Sequence, residues 1–309
     1  MKKRQRTVVL LLACIILACV ALLWPRENEP KYKGRTLTQW IVLHDRATGR
    51  ESVHKSAYDP SMLREADEAV QHIGTNALPW LIKWIQSVPT DSRWRRRVTH
   101  VLERLPGDLW DREPIDSWLN DPEWMRLDVA YWGFHMLGTN ANAAVPELTR
   151  LANDRSLPQI SRSSAMGALT TIGEAGVPTL LAILSDSTHP DRSDAAAAIT
   201  HARLGTNAGF AVHLLARCVA DPDTATATRA AGSLGNLRIN PEVSVPVLTQ
   251  GLRDARHEVR SVCAWSLSLF GEEARSALPA LTVALCDTNW EVRRCATNAC
   301  RKIAPDAPK

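Results

Sequence analysis

Four cationic side chains at helical spacing, Arg93, Arg97, His100 and Arg104, are the sharpest local charge feature of the chain. Trp94, Val98, Val101, Leu102 and Leu105 fall on the opposite side. A stripe of this kind is either a solvated helix face or a surface for an acidic partner. Tryptophan is the second feature. There are 11 Trp against 3 Tyr and 3 Phe, and seven of the Trp lie between residues 80 and 132. Trp80 stands where other segments of the chain carry Glu147, Thr179 and Ala280, a position that tolerates polarity. Trp94 and Trp124 each follow an Asp by three residues at a helix start, as Trp290 does, whereas Trp84 aligns with Leu151 and Ile183 and reads as core. Trp and Arg dominate interaction hot spots. Trp80, Trp94 and Trp124 with Arg93, Arg97, His100 and Arg104 are therefore the candidate partner surface, with core or rim packing as the competing reading.

Other reactive residue types give less. No phosphate-cradling glycine loop, zinc-protease helix or nucleophile elbow is present, and the nine His show no metal-ligand spacing. The expectation is no cofactor, no metal, no catalytic residue and no evident small-molecule substrate. Cys218, Cys263, Cys286, Cys295 and Cys300 fall at apolar positions and read as small buried hydrophobes, with Cys263–Cys295 the best disulfide candidate in an oxidising compartment. Arg162, Arg260 and Arg293 occupy comparable places, and a ladder with turn acids such as Asp254 and Asp287 is the structural reading; a ligand-binding row is the alternative.

The elements that would carry these residues repeat. An apolar-Pro pair recurs at Pro79, Pro146, Pro178, Pro246 and Pro279, with Pro114 and the Pro-less Val212-His213 filling the gaps. A Gly precedes each at Gly74, Gly107, Gly138, Gly173, Gly205 and Gly271, with Arg238 where another would stand. A left-handed residue closes a helix at no Cβ cost when it is Gly, and Pro is tolerated in the first turn of the next. The Asn of Gly74-Thr75-Asn76, Gly138-Thr139-Asn140 and Gly205-Thr206-Asn207 is placed to cap that next helix. Each repeat thus predicts a short helix such as Val145–Asn153, a polar turn and a longer helix such as Ser161–Ile172, giving eight helix pairs.

The phrases His257-Glu258-Val259-Arg260 and Asn289-Trp290-Glu291-Val292-Arg293, with the run Leu137-Gly138-Thr139-Asn140-Ala141 before Val145-Pro146, resemble bacterial HEAT repeats of the PBS-lyase-like type, and Lys31–Trp40 resembles a lead-in segment of membrane-anchored bacterial repeat proteins of unknown function. The resemblance covers about residues 60–304. It implies an all-α, right-handed, armadillo-like α-solenoid over residues 37–304, and it is nearly silent on chemistry. Related solenoids include lyases and DNA glycosylases, which supply the enzyme alternative; a purely structural spacer is the third.

Residues 1–6 form a cationic tip and residues 7–24 an uncharged run long enough to reach across a bilayer. The run is expected to be a signal-anchor, with cleavage after Ala21 or lipidation at Cys19 as alternatives. Residues 25–36 read as a linker and 305–309 as a tail. Lys2, Lys3, Arg4 and Arg6 account for the whole formal charge of +4, so the rest is neutral and shows no basic surplus for nucleic acid. The expected protein is a scaffold held in a bacterial inner membrane by residues 7–24, with its N-terminus cytoplasmic, its repeats periplasmic and another protein as partner.

Overall fold

The computed structural model describes residues 29–48, 59–87 and 122–305, and all candidate residues within 88–121 (Arg93, Trp94, Arg97, His100, Arg104) lie outside them. The described chain is helical apart from a hairpin of β1 (Lys31–Tyr32) and β2 (Arg35–Thr36). The helices are α1 (Leu37–Ala47), α2 (Pro60–Ile73), α3 (Leu78–Gln86), α4 (Pro122–Leu137), α5 (Val145–Asn153), α6 (Gln159–Ile172) and α7 (Val177–Ser185). They continue as α8 (Arg192–Ile199), α9 (Ala208–Cys218), α10 (Thr224–Leu237), α11 (Pro241–Gly251), α12 (His257–Phe270), α13 (Leu278–Ala284) and α14 (Trp290–Ile303).

Local rules place the boundaries. Gly74, Gly138, Gly173 and Gly271 follow α2, α4, α6 and α12 with positive φ, and Arg238 takes the same left-handed turn after α10 at φ 51°. Pro sits in the first turn of α3, α5, α7 and α13. The Asn caps are not formed. Short 3-10 turns carry the chain directly into the next helix, and Asn140 instead donates to Gln71 Oε1 of the neighbouring unit at 2.6 Å. Residues 31–36, expected in a linker, form the hairpin; Tyr32 stacks on His72 of α2 and Trp40 Nε1 donates to the Tyr32 carbonyl at 3.0 Å.

The helices pair in order: α1 with α2, α3 with α4, and so on to α13 with α14. The second pair changes the expected count. α3 packs on α4 as every first helix packs on its second, and α4 packs directly on α2. Gln71 of α2 donates to the Met136 carbonyl of α4, and Gly133 leaves room for Leu81 of α3. The described helices therefore form one unbroken stack of seven pairs, and residues 88–121, read as part of an eighth, are inserted inside the second pair.

One core runs the length of the stack, from Leu37 and Trp40 to Ala299 and Ile303. At each joint the second helices meet more extensively than the first helices do, most of all between α10, α12 and α14. That inequality bends the stack with the second helices on its inner, concave side. Close approach there comes from small residues. A Cβ on Gly235 of α10 would lie 2.6 Å from Ser266 Cβ of α12, and Ser266 Oγ donates to the Ala231 carbonyl at 2.8 Å. Ser233 Oγ likewise donates to the Ala196 carbonyl of α8 at 2.7 Å.

Candidate functional site

The concave face is read by taking the same position on each second helix. Six residues before the residue that closes the helix stand Glu68 of α2, Trp132 of α4, Gly167 of α6, Gly232 of α10, Trp265 of α12 and Asn298 of α14. In α8 the position is Ala197, five residues after Arg192 as Gly167 is after Arg162. Three neighbouring units thus present Gly, Ala and Gly to the inner surface, and a Trp stands at each end of that strip. The strip spans four helix-to-helix steps, roughly 35 Å at about 8–10 Å per step.

The two Trp walls differ: Trp132 is half-buried and packs against the core, whereas Trp265 stands clear of it. Trp265 is 39% exposed. Trp132 is half-buried in an aromatic group with Tyr131, His135 and His44, with ring centroids 5.5, 5.3 and 5.6 Å away. Tyr131 leans over the strip, since a Cβ on Gly167 would sit 3.7 Å from its Cδ2. One edge of the strip is polar. Asp194 of α8 accepts from Ser163 Oγ and Gln159 Nε2 of α6, and Arg229, at the equivalent place on α10, is exposed. One turn before Trp132, the Asp128 carboxyl is pushed above its ordinary value, first by desolvation and then by Asp45.

The two glycines of the strip are not there for packing. The nearest atom to a Cβ on Gly232 is Val262 Cγ1 at 3.8 Å, an ordinary contact, and at Gly167 it is Tyr131 at 3.7 Å. A glycine inside a helix destabilises by about 0.5–1 kcal/mol relative to Ala. At Gly133, Gly235 and Gly251 that cost has a packing reason, because a Cβ would strike Leu81, Ser266 and Cys263. At Gly167 and Gly232 it keeps the inner surface clear.

Other candidate residues fall elsewhere. Trp80 is half-buried against the core, with the Lys83 ammonium 5.1 Å from its ring centroid, and lies on a first helix away from the strip. Trp124 belongs to α4, but its side chain lies outside the described residues. Trp84 is core, 2% exposed, and Trp290 is a rim residue, 63% exposed. Cys263 and Cys295 are free thiols. Arg260 and Arg293 occupy equivalent places, so Cys263 corresponds to Ala296, and Cys295 to Val262, one residue and a quarter-turn of helix apart. Cys263 points instead at Gly251 of its own unit, and burial pushes its thiol up to about 12. Cys286, read as buried, is exposed.

The arginines do form a ladder between units. Arg162 pairs with Asp191, Arg192 with Asp221 and Arg260 with Asp287. Asp254, expected to face a helix arginine, is held by Arg256 of its own turn. Among the described residues no group of three His, Cys, Asp or Glu converges as a metal site would.

These features define an all-α solenoid with an open inner strip. The family model described as HEAT repeats matches residues 245–309, which span α11 from Val245 to the end of α14. No curated protein matches the chain. Among solved structures, it is similar to an engineered protein at 16% identity, covering 87% of this chain and 96% of that one, with a TM-score of 0.43. A designed armadillo repeat protein in complex with peptide (KR)4 is 15% identical over 87% of this chain and 100% of that one, with a TM-score of 0.42. Human deoxyhypusine hydroxylase in complex with glycerol is 17% identical over 87% and 98%, with a TM-score of 0.36. Among the described residues no helix is long and apolar enough to cross a membrane; residues 7–24 lie outside them.

Proposed function

We propose that this solenoid is a non-catalytic scaffold that holds an extended segment of another protein along the strip between Trp132 and Trp265. The observation that carries the reading is the pair Gly167 and Gly232: two helix-interior glycines with room for a side chain, kept bare at a cost in stability. A spacer would gain from alanine at both. At about 3.3 Å per extended residue, a strip of roughly 35 Å accommodates about ten to twelve residues. Trp rings at its two ends suit apolar anchors on that segment. The uncharged run 7–24 behind its cationic tip supports tethering to a bacterial inner membrane, with the repeats on the periplasmic side.

The test is a photo-crosslinking side chain in place of Ala197, at the middle of the strip, in the membrane-bound protein. One polypeptide adduct is expected, and it should weaken sharply in a Trp132→Ala, Trp265→Ala double variant that still folds. No adduct at 197, or one unaffected by the loss of both Trp, would sink the proposal.

A further inference from the structure

Beside the bare strip, the inner surface carries charge that the fold does not neutralise. Three residues before the strip position stand Ser164 of α6, Asp194 of α8, Arg229 of α10 and Val262 of α12, each exposed or half-buried. α8 packs on α10, so Asp194 and Arg229 stand one helix-to-helix step apart, roughly 8–10 Å. They do not meet. Asp194 leans the other way, toward α6, where Ser163 Oγ and Gln159 Nε2 donate to it. Arg162, the cation whose charge Asp194 feels, is committed to Asp191.

The acidic side continues toward Trp132. Asp128 lies one turn before that Trp, on the same side of the strip as Asp194. Asp45 of α1 and desolvation both disfavour its charge, and a cation brought there relieves the repulsion. Among the described residues Asp128, Asp194 and Arg229 have no ion-pair partner. The other charges nearby are matched: Glu258, in the first turn of α12, faces His257 at 3.3 Å, and Arg294 of α14, beyond Trp265, faces Glu291 at 3.5 Å. From Trp132 to Trp265 the unmatched charge therefore runs acid, acid, base.

We propose that the segment held in the strip is ordered by charge, with basic side chains over Asp128 and Asp194 toward Trp132 and an acidic side chain over Arg229 toward Trp265. The proposal rests on the strip reading of the function and adds which end of the occupant faces which wall. Charges across an interface fix register and disfavour a wrong partner more than they add affinity. In an extended chain, side chains two residues apart share a face at about 6.6–6.8 Å. A basic and an acidic residue at that spacing, on long side chains, reach both Asp194 and Arg229. An all-basic segment would set a cation against Arg229, and an all-acidic one would set anions against Asp128 and Asp194. Either chain direction can present the charges, so they, rather than the backbone, orient the segment.

The probes are synthetic peptides of about twelve residues, presented to the full chain. One carries Lys in one half and Glu in the other; the second has Lys in place of every Glu. A photo-reactive residue sits near either end, and adducts are mapped by mass spectrometry. The Lys end of the mixed peptide should link to α4 and α6 and its Glu end to α10 and α12, and the mixed peptide should bind about tenfold tighter than the all-basic one. Arg229→Glu should invert that preference. Arg229 is exposed and bonds to no described residue, so the melting curve of the variant should be unchanged, which separates a changed preference from lost folding. The proposal is overturned by the reverse order of the two ends, by equal binding of the two peptides, by a preference indifferent to Arg229→Glu, or by no adduct with either peptide. Equal binding within the strip removes the charge order and leaves the strip reading standing, whereas loss of the native adduct at Ala197 removes the strip reading itself.

Discussion

Gly232 and Gly235 lie three residues apart in α10, and the same substitution should act on them with opposite sign. Alanine at either position gains about 0.8–1.0 kcal/mol of helix propensity over Gly. At 232 nothing opposes the gain, since the nearest atom to the new Cβ is Val262 Cγ1 at 3.8 Å. Gly232→Ala should therefore stabilise by about 0.5–1 kcal/mol. At 235 the Cβ would lie 2.6 Å from Ser266 Cβ and 2.7 Å from Ser266 Cα. A backbone atom cannot turn aside, so α10 and α12 must separate. Overpacking of this kind costs about 1–3 kcal/mol. Stretching the Ser266 Oγ bond to the Ala231 carbonyl adds about 1 kcal/mol. Gly235→Ala should then be destabilised by about 1–3 kcal/mol net. The two variants should melt at least about 3 °C apart, at about 2–4 °C per kcal/mol for a domain of this size. Circular dichroism melts of the soluble repeats, checked by urea titration, read the difference. If both variants move the midpoint the same way, the inner surface is not arranged as described: either 232 is covered or α10 and α12 do not approach closely.

The ladder makes its own predictions. Asp287→Ala leaves the Arg260 guanidinium, 14% exposed, without its carboxylate partner, and should destabilise by about 2–4 kcal/mol allowing for that exposure, whereas Arg293→Gln, which removes hydrogen bonds to two backbone carbonyls, should cost about 1 kcal/mol in chemical denaturation. Arg256 and Arg260 hold Asp254 and Asp287 below the ordinary 3.8 by hydrogen bonding. The stability they contribute is complete above that value and is lost as pH falls through their lower folded values, so a Tm against pH profile should drop steeply only below about 4. His189 is lowered from 6.5, chiefly by burial, so the unfolded chain takes up its proton first and stability should already decline as pH falls below about 6.5; His189→Asn should remove that early decline alone. For topology, protease added outside intact spheroplasts should degrade the repeats, and protection would place them in the cytosol.

Features set by neighbours in sequence were legible in advance. Val145–Asn153 and Trp290–Ile303 form helices over the residues read for them, because Pro and the closing turn act locally. Arg238 in a left-handed turn shows the same logic working without Gly. The unit count misled because Gly74 and Gly138, which close adjacent second helices, are 64 residues apart, about two repeat lengths. Residues 88–121 match the period in length, and only the contact of α2 with α4 shows that these two described helices are neighbours in the stack. Trp132 and Trp265 were not singled out in the sequence, although each stands at the repeat position that holds Gly167, Ala197 and Gly232 in the units between them. Their meaning depends on which helix row lines the inside, and tertiary packing decides that. Arg256 could not be found from the arginine column at all, because it enters its rung from the opposite side of the joint.

The most direct test of the inner strip as a binding site is a crosslinking scan along it, with photo-reactive side chains placed singly at Gly167, Ala197, Gly232 and Trp265. Mapping the linked residues of the partner gives their order. A single extended segment lying in the strip predicts that these four positions contact successive residues within one segment of about ten to twelve, in one monotonic direction. Adducts from the outer positions Phe210 and Val283 with none from the strip, or strip adducts scattered without order over the partner, would contradict it.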